Sequence, residues 1–176
     1  MQDALYFLID SVFSLIFLVF LLRLLLQWSR ADFRNPLSQA IVRMTNWLVM
    51  PLRRLLPPVR KIDSASVAAV VVIALAQVAV LSLVRGFGLP DAIDWLRLAA
   101  LAILRTILWV YFWAIFINAL LSLLAPGSYS PAHALLATIC EPVLKPIRRR
   151  LPATSGLDFS PLVAGIGIQM LLIILR

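Results

Sequence analysis

The residues with most capacity for chemistry are two arginine pairs, Arg53-Arg54 and Arg148-Arg149, each followed ten positions after its first member by an aspartate, Asp63 and Asp158. Guanidinium groups grip carboxylates and phosphates through paired N–H donors. This spacing therefore offers ion pairing across a turn, or recognition of anions at a surface, and no bond-making. Each aspartate also stands just ahead of an apolar segment, where the dipole of a helix N-terminus favours a negative charge. Cap and ion pair are both open readings at this point. The catalytic constellations are missing from the sequence: there is one histidine, His133, one cysteine, Cys140, and no Ser/His/Asp set, phosphate-binding glycine loop or metal-ligand spacing. His133 has no second ligand near it in sequence and reads as a solvated helix-face residue. A lone cysteine makes no internal disulfide. No enzymatic activity, metal or cofactor is expected.

The arginine pairs sit in an element that occurs twice. Displaced by 95 positions, the stretch from Ser130 to Asp158 lies over Asn35 to Asp63 without a gap. Pro36 meets Pro131, Pro51 meets Pro146, Pro57 meets Pro152, and Asp63 meets Asp158. The coinciding residues restrict the backbone or carry charge, which random apolar composition does not supply, so the chain reads as an internal duplication. Asn35-Pro36 and Ser130-Pro131 each read as a helix cap followed by proline in the first turn, where its missing N–H costs nothing. In the first copy Leu37, Ala40, Ile41, Met44, Leu48, Leu52 and Leu55 recur at helical spacing, against Ser38, Gln39, Arg43, Asn46, Arg53 and Arg54. In the second, Leu135, Leu136, Ile139, Val143 and Ile147 oppose His133, Glu141, Lys145, Arg148 and Arg149. Such amphipathic segments, about 36–56 and 131–151, should lie in a membrane interface with the apolar face toward the lipid. Pro51 and Pro146 should kink or break them, leaving a short basic turn before Pro57 or Pro152.

The remainder is what holds these elements at a membrane. Of the 176 residues 62% are hydrophobic, and the mean hydropathy of +0.99 excludes an ordinary soluble globule. Apolar blocks long enough to cross a bilayer run from about 4–28, 65–84, 107–124 and 161–175. The first is preceded by an acidic residue, Asp3, and no basic region, and no small-residue cleavage site follows, so it reads as an uncleaved span. Arg85 to Pro90 breaks the second, Asp91 caps a new helix, and Arg97 and Arg105 place the start of that long apolar run at or above the interface. Trp109, Tyr111, Phe112, Trp113 and Phe116 read as packing and belt anchors. Gly165, Gly167, Ala65, Ala69 and Ala76 should allow close helix approach. Polar residues inside the apolar blocks are few: Asp10, Arg23, Gln77, Arg105, Asn118 and Gln169. Arg23 either snorkels toward the headgroups or makes a buried polar contact, with Asn118, its counterpart in the second copy, as the candidate. Gln77 and Gln169 read as inter-helix hydrogen-bond partners.

Eleven lysines and arginines fall between spans one and two or three and four, against four on the other side. The positive-inside rule then puts both amphipathic elements in the cytoplasm and both termini outside. The expected fold is an all-α membrane protein with four transmembrane helices in two tandem parallel repeats, 1–84 and 85–176, each made of helix, cytoplasmic interfacial amphipathic helix, and helix. The formal charge of +8 flanks apolar blocks, which fits a headgroup surface and no nucleic acid.

The duplicated N-P-x-S-Q…P-L-R-R-x-x-P…I-D-S-A-S and S-P…E-P-V-L-K-P-I-R-R-x-L-P…L-D-F-S-P resemble the YggT (YlmG) family of small membrane proteins over nearly the whole chain. The resemblance implies a bacterial inner-membrane protein linked to osmotic or ionic stress tolerance and to cell division, with plastid relatives linked to assembly of a haem-bearing cytochrome. It brings no catalytic residues. Two functions are expected to compete. In the first, Arg53, Arg54, Lys145, Arg148, Arg149 and Arg150 form a basic platform for anionic lipid and for membrane or division-machinery proteins, its geometry fixed by the prolines. In the second, the chain, as a homo-oligomer, forms a path for ions or osmolytes lined by the six intramembrane polar residues.

Overall fold

The computed structural model describes residues 2–57, 63–124, 130–151 and 158–175. Among them the chain forms six α-helices and no strand: α1 (Gln2–Trp28), α2 (Pro36–Leu55), α3 (Ser64–Val84), α4 (Ala92–Leu124), α5 (Pro131–Arg148) and α6 (Ser160–Ile174). Three of them, α1, α3 and α4, are long and apolar enough to cross a membrane, and α6, with 15 residues, is apolar but shorter. At 1.5 Å per residue α6 extends ~22 Å, against a hydrocarbon core of ~30 Å.

The helix that Asp91 caps runs unbroken as α4 from Ala92 to Leu124, so the expected crossing segment 107–124 is its C-terminal part. No glycine or proline lies between Trp95 and Leu124 to end a turn, so a helix capped at Asp91 simply continues. Pro51 and Pro146, expected to kink or break their helices, do not break them. α2 continues through Pro51 to Leu55, and α5 through Pro142 and Pro146 to Arg148. Each proline removes one backbone hydrogen bond. Contacts on both sides hold the chain helical: buried Val49 and the Arg53–Asp63 pair flank Pro51, and buried Leu144 and the Arg148–Asp158 pair flank Pro146.

The helix ends obey local rules. Asn35 Oδ1 accepts from the N–H of Leu37 (2.9 Å), and Ser130 Oγ from that of His133 (3.1 Å). α3 ends with Gly86 at φ +78°, a left-handed position that glycine adopts at little cost. α1 ends the same way with Arg30 at φ +53°, where a side chain costs about 1–2 kcal/mol.

Packing groups the chain into two compact units. One comprises Met1–Leu24 and Ile41–Thr106; the other comprises Leu25–Ala40 and Ile107–Arg176. In the first, α1 and α3 run antiparallel. Gln2 donates to the Val84 carbonyl (3.0 Å), the Arg85 guanidinium lies 4.0 Å from the Tyr6 ring centroid, and Gln77 donates to Asp10 (2.9 Å). Its core holds Phe17, Phe20, Leu21, Val49, Val70 and Ile73, with Ala65 and Ala69 fully buried as the small-residue stripe predicts. The Trp95 indole donates to the Leu75 carbonyl (2.9 Å), fixing the start of α4 on α3. In the second unit Ala114, Ile115, Cys140, Leu144, Ala164 and Ile168 form the core, and α5 packs on α6. Here the glycine expectation fails. A methyl group at Gly167 would meet open space and one at Gly165 would meet Phe112 at an ordinary 4.0 Å, so neither position needs glycine, and α6 turns Ala164 and Ile168 inward instead. Trp109, Phe112, Trp113 and Phe116 stack edge to face along α4 at 5.7–5.9 Å.

Candidate functional site

α2 has three faces, one more than its sequence pattern shows. Ser38, Thr45 and Val49 are fully buried and form the side packed into the protein. The expected apolar stripe is left largely outside: Leu37, Met44 and Leu55 are exposed, and so are Trp47 and Met50 beside them. The third side carries Gln39, Arg43, Arg53 and Arg54, all exposed. A helix seated by small and hydroxyl residues thus presents an apolar strip and a cationic strip side by side. α5 differs. Its predicted stripe is the side that packs, with Leu135, Ile139, Cys140 and Leu144 buried and Leu136, Val143 and Ile147 partly so.

Arg23 explains why α2 is seated on its polar side. Its side chain is 3% exposed, and Nη1 donates to Thr45 Oγ1 (2.7 Å), Asn46 Oδ1 (2.9 Å) and the Val42 carbonyl (3.5 Å). A guanidinium buried this deeply must spread its charge over acceptors, and α2 supplies them. Snorkelling is therefore overturned, and the buried polar contact is made with α2. The edge-to-face pair Phe20–Trp47 (5.9 Å) closes the same α1–α2 seam. The sequence carried this signal only as three polar residues at unremarkable helix positions.

Asp158 does both of the jobs open to it, whereas Asp63 makes the ion pair from the N-cap position of α3 without a side-chain cap hydrogen bond. Asp63 is 9% exposed at the N-cap of α3; its Oδ2 pairs with Arg53 Nη2 (2.5 Å) and accepts from Ser66 Oγ (2.8 Å). Asp158 Oδ2 accepts from Arg148 Nε (3.0 Å) and Nη2 (2.8 Å), while Oδ1 accepts from the N–H of Ser160 (2.9 Å). Phe159 occupies the N-cap position of α6, with Asp158 supplying the acceptor from one residue further back. Burial raises the Asp158 carboxyl, but hydrogen bonding by Ser160 and the Arg148 charge outweigh it, and the net shift is downward. Burial pushes the Cys140 thiol up to about 12, so it is an inert core group.

The other predicted residues are placed variously. Arg54, Lys145, Arg149 and Arg150 are exposed. Glu141 reaches Arg148 at 3.7 Å. Asn35 Nδ2 donates to the Pro131 carbonyl (2.8 Å), tying together the entries to both surface helices within the second unit. Pro57 is exposed and Pro36, Pro51, Pro131 and Pro146 lie in helices; Pro152 lies outside the described residues. Of the intramembrane polar set, Asp10 pairs with Gln77. Asn118 Oδ1 is buried with no hydrogen-bond partner among the described residues. Gln169 and Arg105 are half-buried on α6 and α4, and Gln169 makes no hydrogen bond among the described residues. Among the described residues no group of three or more histidine, cysteine, aspartate or glutamate side chains is placed to hold a metal.

The CCB3/YggT family model matches residues 2–84 and 98–176. An uncharacterized protein of Pseudomonas aeruginosa is 40% identical over 172 residues, 97% of this chain and 87% of the relative. The uncharacterized protein YggT of Escherichia coli K12 is 39% identical over 162 residues, 92% of this chain and 84% of the relative. An uncharacterized protein from the proC 3′ region of Vibrio alginolyticus is 39% identical over 169 residues, covering 96% and 91%. No solved structure matches the chain.

Proposed function

Because the chain belongs to the CCB3/YggT family, we propose that it is a non-enzymatic protein of the bacterial inner membrane whose two surface helices form a cytoplasmic basic platform. In this reading α1, α3, the 107–124 part of α4 and α6 cross the membrane as two parallel repeats, with both termini outside. α6 is short enough to need local thinning of the bilayer. The platform holds anionic lipid and offers a docking surface for proteins of membrane assembly or division; osmotic-stress tolerance is the physiological setting that the family resemblance implies.

The observation that carries it is the three-sided α2. An exposed strip of Leu37, Met44, Trp47 and Leu55 is costly in water and natural in lipid, and the cationic strip beside it matches the headgroup layer. A helix with those two free faces is satisfied where hydrocarbon meets charge. Nitroxide labels test this directly. At position 44 relaxation should be driven by dissolved oxygen, and at positions 43 and 54 by an aqueous nickel chelate. Equal aqueous access at all three, or a periplasmic reporter that stays silent at both termini, sinks the reading.

The second reading is an oligomeric conduit for ions or osmolytes. Asn118 favours it, since a buried acceptor without a donor is unusual inside a span. Against it, three of the other polar groups are engaged within the protein: Asp10 and Gln77 are bonded together, and Arg23 is bonded to α2. Flux from liposomes that falls in the Asn118→Leu variant is the result that would move the balance to a conduit.

A further inference from the structure

We propose that the two arginines of each repeated pair do different work: Arg53 and Arg148 clamp the end of a surface helix to the next helix, while Arg54 and Arg149 grip the phosphate of an anionic phospholipid headgroup. The inference rests on the membrane-surface reading and names the ligand of that surface. In the sequence the members of each pair are indistinguishable. Among the described residues the first of each pair is engaged and the second is not. Arg53 is held by Asp63, and Arg148 donates twice to Asp158. That ion pair cancels their charge and fixes their geometry.

Consecutive residues on a helix point ~100° apart. The second arginine therefore leaves the backbone on a different side from the one that meets the carboxylate. Arg54 and Arg149 are exposed and have no ion-pair or hydrogen-bond partner for their side chains among the described residues.

The free arginines do not stand alone. Arg43 precedes Arg54 by eleven residues and falls within ~20° of it around the helix axis, ~16 Å away along it. Lys145 precedes Arg149 by one turn, ~6 Å along the axis. Both partners are exposed and unpaired among the described residues. Glu141, one turn before Lys145, leans instead to Arg148. Each surface helix therefore carries a stripe of two uncompensated cations. On α5 they are close enough to share one phosphate; on α2 they are spaced for two separate headgroups. Like charges one turn apart repel, and an anion between them removes that cost. The apolar strip beside the α2 stripe selects an anion attached to acyl chains over a soluble one.

The test uses the full chain in mild detergent, titrated with phosphatidylglycerol, with phosphatidylcholine as the neutral control and glycerol phosphate as the headgroup without tails. Binding is read by native mass spectrometry and stability by thermal denaturation. Removing one cation near an anionic surface should weaken binding about fivefold, and the R54Q/R149Q double variant about 25-fold, with the thermal midpoint unchanged. Arg53→Gln and Arg148→Gln should lower the midpoint while the folded fraction keeps the wild-type preference for phosphatidylglycerol. Should Arg53→Gln fail to fold, the R148D/D158R exchange, on the exposed pair, should regain stability and retain binding. Lipid binding lost in the clamp variants but kept in R54Q/R149Q overturns the division of labour while leaving the platform intact. A wild-type chain with no preference for phosphatidylglycerol overturns the platform itself. Competition by glycerol phosphate as strong as by the whole lipid overturns the membrane as the source of the phosphate.

Discussion

Severing Arg23 from Thr45 isolates the contact that seats the first surface helix. The guanidinium lies five residues before Trp28, ~7.5 Å along α1 from that end, and its 2.7 Å bond to Thr45 Oγ1 is fully buried. Hydrogen bonds to charged groups contribute about 1.5–3 kcal/mol in proteins. Between helices in lipid they average about 0.6 and reach about 1.7. The charge and complete burial of this pair place it at the overlap of the two ranges, so a coupling of about 1.5 kcal/mol is expected. Arg23→Met keeps most of the volume and removes the charge, leaving Asn46 Oδ1 without its donor. Thr45→Val keeps the shape and removes the hydroxyl, leaving the guanidinium one acceptor short. Each single change should destabilise, and the double change should cost less than the sum of the two. The assay is equilibrium unfolding of wild type, both single variants and the double variant in mixed detergent micelles, analysed as a thermodynamic cycle. Additive effects within about 0.3 kcal/mol would show that Arg23 does not depend on α2, and the account of why α2 packs on its polar side would be wrong.

Three further outcomes are expected from the same geometry. Asp158 has its folded pKa depressed, so its contribution to stability is present above the unfolded carboxylate value near 3.9 and is lost as pH falls through the lower folded value. Thermal midpoints of wild type and Asp158→Asn should accordingly differ at pH 7 and converge as the pH drops below about 4. The gap should stay under about 1 kcal/mol, because both partners are nearly half exposed. Cys140 should resist a small maleimide in the folded protein at pH 8 and react fully once denaturant is added; equal labelling in both states would contradict its burial. Asn35→Ala removes the cap on α2 and the bond to the Pro131 carbonyl, and should cost about 1 kcal/mol in detergent unfolding.

Much of what depends on short chain separations was legible in the residues alone. Helix entries at Asn35 and Ser130 come from a capping side chain beside a first-turn proline, and the apolar blocks mark the long helices because length and hydropathy are local sums. The pairing of each Arg-Arg motif with an aspartate ten residues on was legible as one of two open readings, because ten residues of chain keep the two charges near each other. Only the tertiary structure decided which side of α2 faces protein, which arginine of each pair is engaged, and where Arg23 directs its donors. Periodicity reports that a helix has an apolar side, but not whether a neighbouring helix or lipid covers it. In α5 the apolar side packs on the core, and in α2 a buried guanidinium contributed from about twenty residues away turns the polar side inward. Such a choice depends on matching one buried charge with acceptors on another element, and neither partner's sequence neighbourhood records the match.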